Sequence, residues 1–426
     1  MRLLRKRKCV CFLIIVLSVI LSLTITQTLV IDLTRVRLED PDLEVSTPDD
    51  RQLMGQVRYL DFSPGNVTGQ PPPCKPITNV AFVKVHKAGS STIANILQRY
   101  GILNYLSFAL PNTKFHSYGY NYISRAGDVL TQDKVVPLPP GKQYNILFNH
   151  AIYNRTAFHL IMPEDTAYIS ILREPFQQFV STFEYYRVDK YFASRVAKMR
   201  NATNPISLYL SNPKAFERVQ SHFSYIKNKQ SEDLGLSRDE YYSPLKLNAY
   251  LDQMDKDFKL VMILEHFDES LLLLKHELCW SIKDILYIPK NANKKKPQRN
   301  FTDTDYENHR KYNHLDYAVY HHFLRKFTAK LSAQKPEFFH ELAHYKQLLL
   351  DVKESCSDYS SYYVAQTKWH DSFYVTEKDC KLMLMSELSG LDYLFLRSGH
   401  VSSEEYKALY KLKTQREKPR EYGKLV

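Results

Sequence analysis

The stretch Asn79-Val-Ala-Phe-Val-Lys-Val-His-Lys-Ala-Gly-Ser-Ser-Thr92 decides the fold. Val80, Phe82, Val83 and Val85 form a short β-branched and aromatic run, the pattern of a buried strand. Ile93, Ile96, Leu97 and Tyr100 then recur at helical spacing and make one apolar face. The turn between them is His86-Lys87-Ala88-Gly89-Ser90-Ser91-Thr92. Gly89 allows a close bend past a ligand. Ser90, Ser91 and Thr92 bring hydroxyls to a helix N-terminus, whose free N–H groups favour an anion. Lys87 adds a full positive charge. The stretch reads as a phosphate-type anion site, although the Walker pattern is absent because the lysine precedes the glycine.

A second element has the same form. Ala167 to Leu172 is strand-like, Arg173-Glu174-Pro175 follows, and Phe176 to Tyr186 reads as an aromatic-rich helix with Pro175 in its first turn. Ser181 lies eight residues after Arg173. An arginine fork and a hydroxyl suit a second phosphate.

Lysine, small residue, glycine and two hydroxyls after a strand resemble the 5′-phosphosulfate loop of the sulfotransferases. Their donor is 3′-phosphoadenosine 5′-phosphosulfate (PAPS). Arg173 and Ser181 match the R-x-P-x5-S arrangement that holds the donor's 3′-phosphate in those enzymes. Phe82-Val-Lys-Val-His-Lys87, Phe148-Asn-His150, and Val261 to Leu274 with Leu278-Cys279-Trp280 resemble the galactose 3-O-sulfotransferase family. That family includes enzymes acting on galactosylceramide and on galactose-terminated glycans. The resemblance covers roughly residues 76 to 400.

It implies an α/β, P-loop-like sulfotransferase fold with a central parallel sheet flanked by helices, preceded by one transmembrane helix. It implies PAPS as co-substrate, a galactosyl glycolipid or glycan as acceptor, and no required metal. Donor contacts would come from Lys84, Lys87, Ala88, Gly89, Ser90, Ser91, Thr92, Arg173 and Ser181. Lys87 would also act in catalysis. His150 and His86 compete as the base that takes the acceptor proton, and the need for in-line attack favours His150. Tyr144 to His150 reads as a strand, so His150 falls at a strand end, where open α/β sheets place ligands. A late basic segment, Lys294 to Arg299, is a further candidate contact.

The N-terminus adds a membrane context. Residues 1–8 are strongly basic, and residues 9–31 carry no charge. At 1.5 Å per residue that run can cross a bilayer core of about 30 Å. Preceding basic residues should keep the tail cytosolic, and no cleavage site marks a signal peptide. Residues 32–75, rich in Pro and Asp, read as a lumenal stem. Residues 76–426 form the catalytic domain. The expected location is the Golgi membrane, single-pass type II, with the catalytic domain lumenal.

The net charge of +12 suits an anionic donor or a membrane surface. No recognised nucleic-acid module accompanies it. Of six cysteines, Cys9 and Cys11 flank the start of the span, where palmitoylation is possible. Cys74, Cys279, Cys356 and Cys380 would be lumenal and allow three disulfide pairings. Sequons for N-glycosylation occur at Asn66, Asn154, Asn201 and Asn300.

Two patterns point elsewhere. His340-Glu341-Leu342-Ala343-His344 matches the zincin H-E-x-x-H motif. Helical spacing puts Phe338, Phe339, Leu342, Tyr345 and Leu349 on one apolar face and both histidines on the solvent side, and no third ligand follows. Asp255-Lys-Asp257 and Asp303-Thr-Asp305 match the D-x-D motif of glycosyltransferases, but neither follows an apolar strand. A Golgi glycosyltransferase and a non-catalytic glycan-binding membrane protein are the rival readings.

Overall fold

The computed structural model describes residues 74–398, apart from 113–120, 125–127, 194–196, 218–223, 237–242 and 290–298. The expected tail, span, most of the stem, Asn66, Phe115 to Tyr118, Lys294 to Gln298 and the basic C-terminus lie outside the described residues. Among the described residues no helix is long and apolar enough to cross a membrane.

A four-stranded parallel sheet in the order β2-β1-β3-β4 forms the centre. Its strands are β1 (Val80–Val83), β2 (Ile146–Leu147), β3 (Ala167–Leu172) and β4 (Phe258–Ile263). Val80 aligns with both Ile146 and Ala167, and Tyr168 aligns with Phe258. Every residue of β1 and β3 is buried, which explains their apolar runs, and the one polar residue, Ser170, donates its hydroxyl to the Val83 carbonyl at 2.8 Å. Each fully buried Val, Ile or Phe stabilises the sheet by about 1.5–3 kcal/mol relative to exposure. The α/β class with a central parallel sheet is thus as expected. The expected strand from Tyr144 is shorter, and beyond β2 the chain keeps only an isolated bridge between His150 and Tyr122.

Helix α1 (Ser90–Leu103) follows β1, and its expected face, Ile93, Ile96, Leu97 and Tyr100, is buried. Helix α2 (Arg155–Ile161) precedes β3, and α3 (Pro175–Tyr185) follows it. Glu174 caps α3 by accepting from the amides of Phe176 and Gln177. Phe176, Phe179 and Phe183 of α3 pack with Phe192 and Tyr209 in a second, aromatic core. After short helices between residues 188 and 217 come α4 (Lys229–Asp233), α5 (Pro244–Asp257), α6 (Phe267–Leu278), α7 (Asp303–Tyr312), α8 (His314–Ser332) and α9 (Pro336–Ser355). A two-stranded antiparallel ribbon, β5 (Tyr362–Val364) and β6 (Phe373–Val375), leads to α10 (Glu377–Leu384) and α11 (Glu387–Ser398). Both last helices pack on α1.

Of the three possible pairing schemes the structure holds the one with Cys74–Cys279 and Cys356–Cys380. Helix α9 corrects one detail of the helical projection. Phe338, Leu342, Tyr345 and Leu349 are buried, but Phe339 is exposed. Glu341 turns inward to Lys275 and His276, while His344 bonds His370. Glu341 and His344 are therefore committed to different neighbours, and His340 is exposed. In the D-x-D matches, Asp305 completes a capping box with Thr302, and Asp257 pairs with Arg155 and accepts from Tyr153. Among the described residues no three His, Cys, Asp or Glu side chains come together as a metal cluster.

Candidate active site

Strand order 2-1-3-4 makes the chain leave β1 toward one edge and β3 toward the other. The crevice at their C-terminal ends is the switch point where open α/β sheets bind ligands. The loop after β1 and Arg173 after β3 both lie there.

The loop is a turn that few side chains tolerate. Lys87 has φ 58° and Gly89 φ 77°, both left-handed. A Cβ on Gly89 would stand 2.6 Å from Leu264 Cδ1. Gly89 is the N-cap of α1 and supplies no side-chain cap, and the Thr92 amide donates to the Gly89 carbonyl at 3.1 Å. The backbone path thus fits a phosphate group. The hydroxyls divide: Ser90 Oγ turns inward to the Val85 carbonyl, whereas Ser91 is exposed and donates to Glu387. Ala88 is buried and Thr92 half-buried. The Lys87 ammonium lies 3.6 Å from the ring centre of Tyr185, a cation–π contact from α3.

Arg173 donates to the Lys87 carbonyl at 3.3 Å, which joins the two strand ends. Its own amide and carbonyl are clamped by the Gln230 side chain. Among the described residues its guanidinium has no carboxylate within ion-pair distance, leaving donors for an anion. Burial lowers its pKa, opposed by Glu265 and Glu174. Ser181 sits half-buried two turns into α3.

His86 and His150 come together. Their rings stack with centroids 4.0 Å apart. Asp233 Oδ2 accepts from the His86 backbone amide at 2.8 Å and lies 2.7 Å from Nδ1. Nε2 lies 2.8 Å from the Tyr122 hydroxyl. With a carboxylate at Nδ1, that nitrogen carries the proton and Nε2 accepts from Tyr122. The pKa of His86 falls well below its ordinary value through burial, then Lys229, Lys84 and Lys87. His150 is lowered likewise by burial, His86 and Lys84, against Glu387 and Asp233. Its Nδ1 is buried and has no partner among the described residues. The two rings, Tyr122, Ser124, Lys229 and Asp233 line a cavity of about 10 Å³, room for one water-sized group.

Sequence reading missed Tyr122, Lys229, Asp233 and Glu387. Lys229 donates to Glu232 and Asp233, an i,i+3/i,i+4 pattern readable as helix charge pairing but silent about the site. Lys84 is buried and ion-paired with Glu387. Arg299 is near Glu184 on α3, at 3.4 Å. Asn154, Asn201 and Asn300 are exposed. Asn154 also caps α2, its side-chain Oδ1 accepting from the Ala157 amide at 3.0 Å.

The left-handed Lys87–Gly89 turn, Arg173 and the buried histidine pair thus meet at one switch point of a parallel α/β sheet, the place where α/β proteins of this class build their sites. A family model described as galactose-3-O-sulfotransferase matches residues 1–370, and the chain belongs to that family. It is 34% identical over 261 residues to galactose-3-O-sulfotransferase 2 of Sus scrofa, covering 61% of this chain and 63% of the relative. To galactosylceramide sulfotransferase of Homo sapiens it is 30% identical, covering 61% and 59%. To galactose-3-O-sulfotransferase 3 of Bos taurus it is 33% identical, covering 66% and 64%. The matched stretch spans less than two thirds of the length of these relatives.

Proposed function

We propose that this chain is a PAPS-dependent galactose 3-O-sulfotransferase acting on a galactosyl glycolipid, of the galactosylceramide kind, or on a galactose-terminated glycan. The observation that carries the reading is the uncapped, left-handed Lys87–Gly89 turn joined through Arg173 to the second strand end, within one site of the histidine pair. The names of the relatives, which include both galactose and galactosylceramide, support the acceptor class.

In this reading Lys87 and the first amides of α1 hold the 5′-phosphosulfate, and Arg173 with Ser181 holds the 3′-phosphate. His150 takes the proton of the galactose 3-hydroxyl as its oxygen attacks sulfur. The bond from sulfur to the 5′-phosphate oxygen breaks in line. Charge gathers on that leaving oxygen, where Lys87 and the loop amides stabilise it. The products are the sulfate ester and the desulfated nucleotide, and His150 later releases its proton to water. No metal is called for in this scheme.

We also propose the single-pass type II arrangement in the Golgi membrane, anchored by residues 9–31. The two disulfides suit an oxidising compartment, and the exposed Asn154, Asn201 and Asn300 suit N-glycosylation. Glycosidase treatment should increase gel mobility. An unchanged band with a protease-accessible C-terminus in sealed microsomes would refute this topology.

The activity test incubates the detergent-solubilised full chain with labelled PAPS and a panel of galactosides. Label should appear on the 3-hydroxyl of galactose. Absence of transfer across the panel would overturn the reading.

A further inference from the structure

The donor loop is completed by a residue 303 positions away from Lys84 in the chain. Glu387 opens α11, and its carboxylate receives three donors from three segments. They are the Lys84 ammonium at the end of β1, the Ser91 hydroxyl at 2.8 Å, and the Asn121 amide at 3.2 Å. Glu387 lies beyond residue 370, where the family match ends.

This carboxylate is a fixture. Asn95 of α1 donates to the carbonyls of Leu382 and Met385, and Gln98 donates to the carbonyl of Glu387 itself. Gly390 lets α11 approach so closely that a Cβ there would stand 2.4 Å from Gln98 Oε1. Arg397 reaches the Ile102 carbonyl near the far end of α1. Cys380 of α10 is bonded to Cys356 at the end of α9. The C-terminal segment is thus fastened along the whole length of α1, so a passing displacement of Glu387 would break many contacts.

The partner is a charge that cannot be left alone. Lys84 is 2% exposed, and a buried ammonium requires an anion and hydrogen-bond acceptors. Its charge bears on both histidines, and Asn121, which donates to Glu387, accepts from the His150 backbone amide at 3.0 Å. Burial would raise the Glu387 carboxyl, but Lys84 and then His150 outweigh it and hold it at about 2. Ser91 has a single hydroxyl hydrogen. If a donor phosphate takes it, Glu387 keeps Lys84 and Asn121.

We propose that Glu387 is a positioning residue of the transfer site, which fixes the Lys84 ammonium where the donor loop meets the histidine pair. The C-terminal helices thereby supply part of a site otherwise built from residues 84–233. This inference rests on the sulfotransferase reading.

The test uses the full chain in detergent and four variants: Glu387→Gln, Glu387→Asp, Lys84→Met and the Lys84→Met/Glu387→Gln double variant. Turnover is measured at saturating PAPS and galactoside, and affinity for the desulfated nucleotide by calorimetry. Glu387→Gln should lower kcat by roughly 10- to 100-fold, the scale of a misplaced catalytic group. Nucleotide affinity should stay within about threefold. Glu387→Asp should recover part of the loss. In the Lys84→Met background the Glu387→Gln change should cost less than about twofold, because its route of action is gone. Parental turnover in Glu387→Gln would overturn the proposal. So would tighter nucleotide binding at unchanged kcat, which would make Glu387 a mere competitor for the anion site. A full additional loss in the Lys84→Met background would also overturn it. If Glu387→Gln does not fold, Glu387→Asp takes its place in the same cycle with Lys84→Met, and parental turnover in Glu387→Asp then overturns the proposal. A parent chain that transfers nothing refutes the sulfotransferase reading instead, so the two failures are distinct.

Discussion

His86 and His150 stack at 4.0 Å with their planes 24° apart, yet only His86 has both ring nitrogens engaged. His86 is held between Asp233 and Tyr122, and the Nδ1 of His150 has no partner among the described residues. This asymmetry favours His150 as the group that receives a proton. His150→Ala should lower kcat by roughly 10²–10⁴ while nucleotide affinity survives. Near-parental turnover in His150→Ala, with activity abolished and affinity intact in His86→Ala, would transfer the role to His86.

The same burial makes the fold acid-sensitive. Both imidazoles have folded-state pKa values well below their ordinary 6.5. Above that value both states are neutral and the pair is fully accommodated. As pH falls below about 6.5 the unfolded chain takes up protons that the folded one refuses, so stability is lost. Each histidine should cost about 1.4 kcal/mol per pH unit in that window. Denaturant midpoints at pH 7.5, 6.0 and 5.0 measure it. The decline should be shallower in His150→Gln; an equal decline would place the acid-sensitive groups elsewhere.

Arg173 is poised between the strand ends with guanidinium donors to spare. Arg173→Ala should weaken binding of the desulfated nucleotide roughly ten- to a hundredfold, since hydrogen bonds to charged groups contribute about 1.5–3 kcal/mol. Calorimetry on the variant and the parent checks this. Equal affinities would show that the 3′-phosphate is held by other residues.

Cys356–Cys380 fastens the segment that delivers Glu387. A Cys356→Ser/Cys380→Ser variant should lose about 2–4 kcal/mol of stability and should lose turnover before it loses nucleotide affinity. Peptide mapping without reduction should find Cys74 with Cys279 and Cys356 with Cys380. A crossed pairing, or turnover unaffected by the double change, would contradict the arrangement.

The local part of this protein was legible in its residues. A buried strand, a Lys–Gly turn and an amphipathic helix announce themselves within about twenty positions, because strand and helix periods and left-handed turns are short-range properties. The register of Arg173 after a second such strand was readable for the same reason. The projection of α9 failed only at Phe339, since a helical wheel cannot say how wide the buried face is. The sequence alone determined the parallel α/β class, the left-handed turn at Lys87–Gly89 and the two candidate histidines. Tertiary structure alone decided what those groups touch. Asp233 meets His86 across 147 residues and Glu387 meets Lys84 across 303. It also chose one of the three pairing schemes, with its two disulfides. Such partners carry no periodic signal. Their place is set by how helices pack on the sheet, and a carboxylate in a polar stretch looks like any solvated charge until the fold buries it beside a cation.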